Sequence, residues 1–164
     1  MTDERRLTVT WKDPREALPS LAAMQGIEYL RAVQRSEIAP PPIAEVFGMR
    51  FDTIEDGRFS VSCEPREAFF NPLGSVHGGL ACTLLDTVLA CAGHTTMPAG
   101  VGYTSIDLQV RYLRAVQPSA GRVTATGRVV KRGARVIFTD GELTDQAGTV
   151  YATATSSLLV LQPR

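Results

Sequence analysis

Apolar residues recur at every third position from Leu21 through Met24, Ile27 and Leu30 to Val33. That spacing gathers them on one face of a helix, so 20–36 reads as one amphipathic helix preceded by a loose polar arm over 1–18. Ala39-Pro40-Pro41-Pro42 stops it, because proline cannot continue a helix and restrains the residue before it. From Ile43 the period changes. Phe51–Ile54 and Arg58–Cys63 flank Glu55-Asp56-Gly57, a good hairpin turn. A loop around Asn71-Pro72-Leu73-Gly74 leads to Gly78–Gly93, whose Leu, Ala and Thr content suits a buried helix. Ser105–Tyr112 then alternates apolar and polar residues, the mark of a half-buried strand. Further strands are expected near 121–131, 135–144 and 150–161, with turns at Arg132-Gly133 and Asp145-Gln146-Ala147-Gly148.

This order predicts an α+β fold in which one antiparallel sheet wraps a long central helix. A chain of 164 residues supports one well-buried core rather than two. Residues 1–42 form the arm and amphipathic helix, a cap or lid, and 43–164 form the main domain. With 44% hydrophobic and 21% charged residues the chain is expected to fold rather than stay disordered. Lys plus Arg balance Asp plus Glu at 17 each, so no global field favours nucleic acid or an anionic membrane. Any anionic ligand must be held by a local set of donors. The cysteines, Cys63, Cys82 and Cys91, show neither a Cys-x-x-Cys pair nor a nearby histidine cluster, which fits reduced thiols and no metal site. Met1–Arg15 is charged and lacks the apolar core of a secretory signal. Leu80–Gly93 contains Asp86 and is too short to span a bilayer. A cytoplasmic protein is expected.

Asp86 is the only formally charged residue between Glu67 and Asp107. A buried, unpaired carboxylate costs several kcal/mol or shifts its pKa upward, so such a residue is either functional, well paired or turned to solvent. His77-Gly78-Gly79 stands where the helix should begin. The first N–H groups of a helix lack internal partners, and glycine lets a ligand oxygen approach them. That is the requirement of an oxyanion hole, although two glycines can equally serve close packing. Gly78 and Asp86 are separated by roughly 12 Å along one helix at about 1.5 Å per residue. A base and an oxyanion donor must instead converge on adjacent reacting atoms. If this helix carries the reaction, the site is shared between two copies related by a two-fold axis.

Asn71-Pro72-Leu73-Gly74-Ser75-Val76-His77-Gly78-Gly79, followed by Asp86, resembles the signature of PaaI-type hotdog-fold thioesterases. The strand from Gly102 and the final strands are similar as well, so the resemblance covers roughly 43–161. It implies a hotdog fold, assembly as a dimer or tetramer, and hydrolysis of acyl- or aryl-CoA thioesters without a metal or organic cofactor. It further implies that Asp86 activates water as general base, or attacks the thioester carbonyl as nucleophile, while the Gly78 N–H polarises that carbonyl. Asn71 would bond near the carbonyl or the water, and His77 would hold the loop or the thioester. Ser105, with Thr104, would orient the water or Asp86, and Gly79 would border the substrate. Some relatives carry a hydroxyl residue one turn after the acid, where this chain has Ala90.

Other polar residues have more ordinary readings. His94 falls at the helix C-terminus, where the dipole favours a cation. Asp107 shares the polar strand face with Gln109 and Arg111. Arg132 and Arg135 belong to a basic turn that is either a solvated hairpin or a contact for the CoA phosphates. Two rival functions remain at this level. One is a hotdog acyl-CoA hydratase or dehydratase, for which His77 is the only histidine near the helix start. The other is an acyl-CoA-binding protein without turnover.

Overall fold

The computed structural model describes residues 4–161; the first three residues of the expected arm and the last three of the main domain lie outside them. The expected helix over 20–36 is two helices, α1 (Leu18–Ala23) and α2 (Gly26–Gln34). Between them Met24 and Gln25 are extended, with ψ of 151° and 146°. The cause is tertiary. Extending the chain there lets the Gly26 N–H donate to the Met97 carbonyl at 3.0 Å. It also brings the Gly26 α-carbon so near the backbone of residue 94 that a Cβ would collide with the His94 carbonyl oxygen. The arm is shorter than expected, because Asp13 caps a 3-10 turn at Pro14–Ala17 that runs into α1. The proline run hides a third helix, α3 (Pro42–Phe47), with Pro42 in its first turn, where a missing N–H costs nothing. Gly48 ends α3 in the left-handed region at φ 62°.

The six strands are β1 (Arg50–Glu55), β2 (Arg58–Cys63), β3 (Gly102–Tyr112), β4 (Val123–Arg132), β5 (Val136–Asp145) and β6 (Val150–Leu161). They form one antiparallel sheet in the order β1-β2-β4-β5-β6-β3. The central helix, α4 (Gly78–His94), packs on β2, β4, β5 and β6. Its buried residues Leu80, Ala81, Leu84, Leu85, Val88, Leu89 and Ala92 make one wide stripe against the sheet. This is the α+β hotdog arrangement that the sequence pattern and the resemblance predict. Asp86 lies off that stripe, with Thr87, Ala90 and Cys91 on a second, partly exposed face of α4. A charged residue therefore interrupts no core contact.

The two edge strands differ in cover. Helix α2 packs on β1, whereas β3 runs along the opposite edge with most of its residues exposed. An exposed edge of eleven residues is a template for pairing with another strand. No described helix is long and apolar enough to cross a membrane.

Candidate active site

The start of α4 is built by a tightly bonded loop. The Asn71 carboxamide oxygen accepts the N–H groups of Leu73 at 2.9 Å and Ser75 at 3.3 Å, and its amide donates to Ser75 Oγ at 2.8 Å. Gly74 takes φ 80° to complete this turn. The loop is fastened to the domain where His77 N–H donates to the Phe69 carbonyl and Val76 N–H to the Val116 carbonyl. His77 is the N-cap of α4: its Nδ1 accepts the Gly79 N–H at 2.8 Å, which leaves Nε2 to carry the ring proton of the neutral form. Leu80 N–H donates to the His77 carbonyl. Among the described residues the Gly78 N–H has no partner, so it is the open donor at this helix end. Tyr112 confines it from one side. Its hydroxyl donates to the Gly78 carbonyl at 3.2 Å and meets Cys82 Sγ at 2.8 Å. A Cβ on residue 78 would lie 3.1 Å from the Tyr112 ring, tight enough to displace it.

Asp86 opens into a different space, a cavity of about 810 Å³. Ser105 Oγ donates to Asp86 Oδ1 at 3.5 Å, a long bond. What aims Ser105 is a β-bulge. Ser105 pairs with Leu158 and Asp107 with Ser157, so Ile106 is the extra residue, and it points outward, 55% exposed. Asp107 stabilises the irregularity, since its carboxylate accepts the Ser157 N–H at 2.9 Å and its carbonyl accepts Ser156 Oγ at 2.7 Å. The hydroxyls of Thr83 and Thr87 are spent on helix carbonyls one turn back, those of Gly79 and Thr83. Ser105 is thus the hydroxyl that reaches Asp86.

The rest of the cavity is largely apolar. Leu18, Leu21, Leu30 and Val33 bring the two N-terminal helices to its wall, and Ile43 adds α3. The N-terminal segment therefore covers this cavity rather than an outer edge. Deep in it, burial pushes the Cys91 thiol up to about 12, and the nearby negative charge of Asp86 adds to the effect. Burial likewise holds the Tyr103 hydroxyl well above its ordinary range. His94 corrects the expectation of a helix-end cation: burial drives its pKa down to about 4, so the imidazole is neutral at physiological pH.

The structure brings the expected site residues together in two groups. Asp86, Thr104 and Ser105 line the large cavity, whereas Asn71, His77, Gly78 and Gly79 line a second cavity of about 480 Å³ at the helix start. No residue lines both. Gly79 has its N–H committed to His77, so of the two glycines only Gly78 offers a donor. Arg132 and Arg135 are exposed around the β4–β5 turn and line neither cavity. Tyr29, Cys91, Tyr103 and Tyr112 are site neighbours that residue patterns did not single out. For Tyr112 the signal was its place at the end of the alternating strand, seven residues from Ser105.

Comparison with known proteins places this architecture. The description "Thioesterase superfamily" fits residues 73–152, the span that holds His77-Gly78-Gly79, Asp86 and Ser105. A Halobacterium salinarum protein named as an esterase is 30% identical over 129 residues, covering 76% of this chain and 83% of its own. The chain belongs to the thioesterase superfamily. It is a thioester hydrolase by that membership. Human acyl-coenzyme A thioesterase 13 is 32% identical over 89 residues, 53% of this thioesterase and 62% of the human protein. Among solved structures, a phenylacetic acid degradation-related thioesterase of Ralstonia eutropha JMP134 superposes with a TM-score of 0.73 at 28% identity, covering 80% of this chain and 98% of that one. The E. coli PaaI protein of the phenylacetic acid degradation operon gives 0.73 at 20% identity, with coverage of 86% and 98%, and so shares the fold.

Proposed function

We propose that this thioesterase hydrolyses acyl- or aryl-CoA thioesters at a site shared by two copies of the chain. Asp86 of one copy acts as general base or nucleophile, and the Gly78 N–H of the other is the oxyanion donor. The observation that carries the reading is the division of the chemistry: a carboxylate with its serine lining a largely apolar cavity, and an open helix N-terminal donor in a separate one. Neither half is a hydrolytic site alone. The open β3 edge supplies a way to join them. Ser105, beside Asp86, and Tyr112, beside Gly78, mark two ends of one stretch of β3. Antiparallel pairing of two such edges about a two-fold axis near Leu108 and Gln109 sets the Ser105 end of each copy against the Tyr112 end of its mate.

In this arrangement the acyl group enters the large cavity and the thioester carbonyl lies between the two helices. The Gly78 N–H, at the positive end of α4, stabilises the charge that develops on the carbonyl oxygen. Asp86 deprotonates the attacking water, or attacks the carbonyl itself, and the C–S bond breaks to release CoA as thiol. Ser105 orients Asp86 or the water. His77 holds the loop through Nδ1 and would meet the thioester through Nε2, and Asn71 shapes the turn that presents Gly78. Arg132 and Arg135, on the exposed β4–β5 turn, would supply the contact for the CoA phosphates.

The test is thiol release from a panel of aryl- and fatty acyl-CoAs by wild type and Asp86→Asn. General-base catalysis is worth roughly 10²–10⁴ in rate. The variant should lose at least about a hundredfold in kcat while keeping its oligomeric state. Turnover near wild type in a folded Asp86→Asn oligomer would reject the mechanism.

A further inference from the structure

Seven residues separate Ser105 from Tyr112 on β3, an odd interval that in a regular strand sends two side chains to opposite faces of the sheet. Both nonetheless reach α4: Ser105 meets Asp86, and Tyr112 meets Gly78 and Cys82. The bulge at Ile106 reconciles them. Their partners on β6, Leu158 and Ala152, are six residues apart and both buried, so the extra residue on β3 is what returns Tyr112 to the helix side. Just beyond it, the N–H groups of Leu113 and Arg114 both donate to the Tyr151 carbonyl, which anchors the strand end.

What Tyr112 meets is a Gly-Gly pair in the first turn of a helix, the most permissive backbone at its least constrained position. The peptide joining Gly78 to Gly79 is held at both ends. Its carbonyl accepts the Tyr112 hydroxyl at 3.2 Å, and its N–H donates to His77 Nδ1 at 2.8 Å. The preceding peptide is held by its oxygen alone: the His77 carbonyl accepts the Leu80 N–H, while the Gly78 N–H is open among the described residues. Fixed planes thus flank the Gly78 α-carbon on both sides, and the direction of the open N–H is fixed with them. The hydroxyl has one proton to give, so with that proton on the Gly78 carbonyl the Cys82 thiol donates in the 2.8 Å contact. The Cys82 contact pushes the Tyr112 hydroxyl up to about 12, which keeps it a donor through neutral pH.

We infer that Tyr112 is a positioning residue for hydrolysis, holding the Gly78–Gly79 peptide by its hydroxyl so that the Gly78 N–H stays aimed at the oxygen on which charge develops. The inference rests on the reading of Gly78 as the oxyanion donor. Such a donor must lie within about 2.7–3.1 Å of the oxyanion, and a first turn free to rock loses that distance without losing the substrate. The role is therefore realised in the transition state and shows in kcat rather than in KM. Because the residue that reaches Asp86 and the residue that steadies Gly78 stand on one strand in the register set by one bulge, β3 positions both halves of the chemistry.

The test is Tyr112→Phe, which keeps the ring and removes one oxygen from a side chain that is 55% exposed, so its Tm should stay within about 2 °C of wild type. Thiol release from benzoyl-CoA should fall about tenfold or more in kcat, part of the roughly 10²–10³ that a whole donor is worth, with KM within about twofold. An unchanged kcat, or a loss that appears in KM alone, overturns the role. A second measurement reads the donor without turnover: the infrared carbonyl stretch of benzoyl-CoA, carbon-13 labelled at the thioester, bound to Asp86→Asn and to Asp86→Asn with Tyr112→Phe. The stretch should lie below its free value in the first protein and return toward it in the second. The same stretch in both, shifted or not, overturns the role and leaves Tyr112 a merely structural neighbour. If wild type releases thiol from no thioester, the hydrolytic reading fails and the infrared pair alone decides whether Tyr112 steadies the donor.

Discussion

His94 makes stability depend on pH in a window where few other groups titrate. Its folded pKa is about 4, against an ordinary value of 6.5, because burial penalises the imidazolium. The unfolded chain therefore takes up a proton near pH 6.5 that the folded chain refuses until about pH 4. Stability from this source is complete above pH 6.5 and is lost as pH falls through the window, since the unfolded state binds more protons there. At about 1.36 kcal/mol per pH unit, the loss is about 2 kcal/mol by pH 5 and about 3 kcal/mol near pH 4. Asp13, Glu37 and Asp145, whose pKa values are lowered chiefly by hydrogen bonds to Arg15, Arg35 and the Thr149 backbone, act only at the acid end. Urea unfolding at pH 7.5 and pH 5 measures the difference directly, and His94→Gln, which cannot charge, serves as the reference. Wild type should lose about 2 kcal/mol more than the variant between these two conditions. Equal losses would refute the claim that His94 is held neutral by burial.

Other outcomes follow from particular contacts. Gly26→Ala forces the start of α2 off the end of α4, and overpacking of this kind typically costs about 1–3 kcal/mol; thermal unfolding checks it, and an unchanged Tm would show that the helices have room. Arg132→Ala or Arg135→Ala should raise KM for acyl-CoA severalfold at low salt, and the difference should shrink at high salt as the phosphate contact is screened. A KM unaffected by either substitution would return the turn to an ordinary solvated hairpin.

How much was legible in the sequence depends on whether a feature is set locally or by distant partners. The hairpin at Glu55-Asp56-Gly57, the central helix and the last three strands were readable because period and turn chemistry are written in adjacent residues. So was the spacing of His77-Gly78-Gly79 and Asp86, and with it the difficulty of one helix serving both roles. The break at Met24–Gln25 was not, since the unbroken three-residue spacing passes through it and the Gly26 bond to Met97 comes from a region seventy residues away. Helix α3 was hidden because a proline run signals a stop and a start alike. The bulge at Ile106 sits inside a strand whose alternation looks regular. His94 misled for the same reason: the helix dipole is a local argument, while its burial under α2 is tertiary.

The shared site is the claim on which the rest depends, and subunit mixing tests it most directly. Asp86→Asn and Gly78→Val each disable both sites of their own oligomer, the second by crowding the open N–H and the Tyr112 ring. Unfolded together and refolded as a mixture, random pairing gives half heterodimers, each with one site built from the intact halves. Thiol release should then return to about one quarter of wild type. Activity that stays at the level of the separate variants, with heterodimers present, would mean that each chain does its chemistry alone.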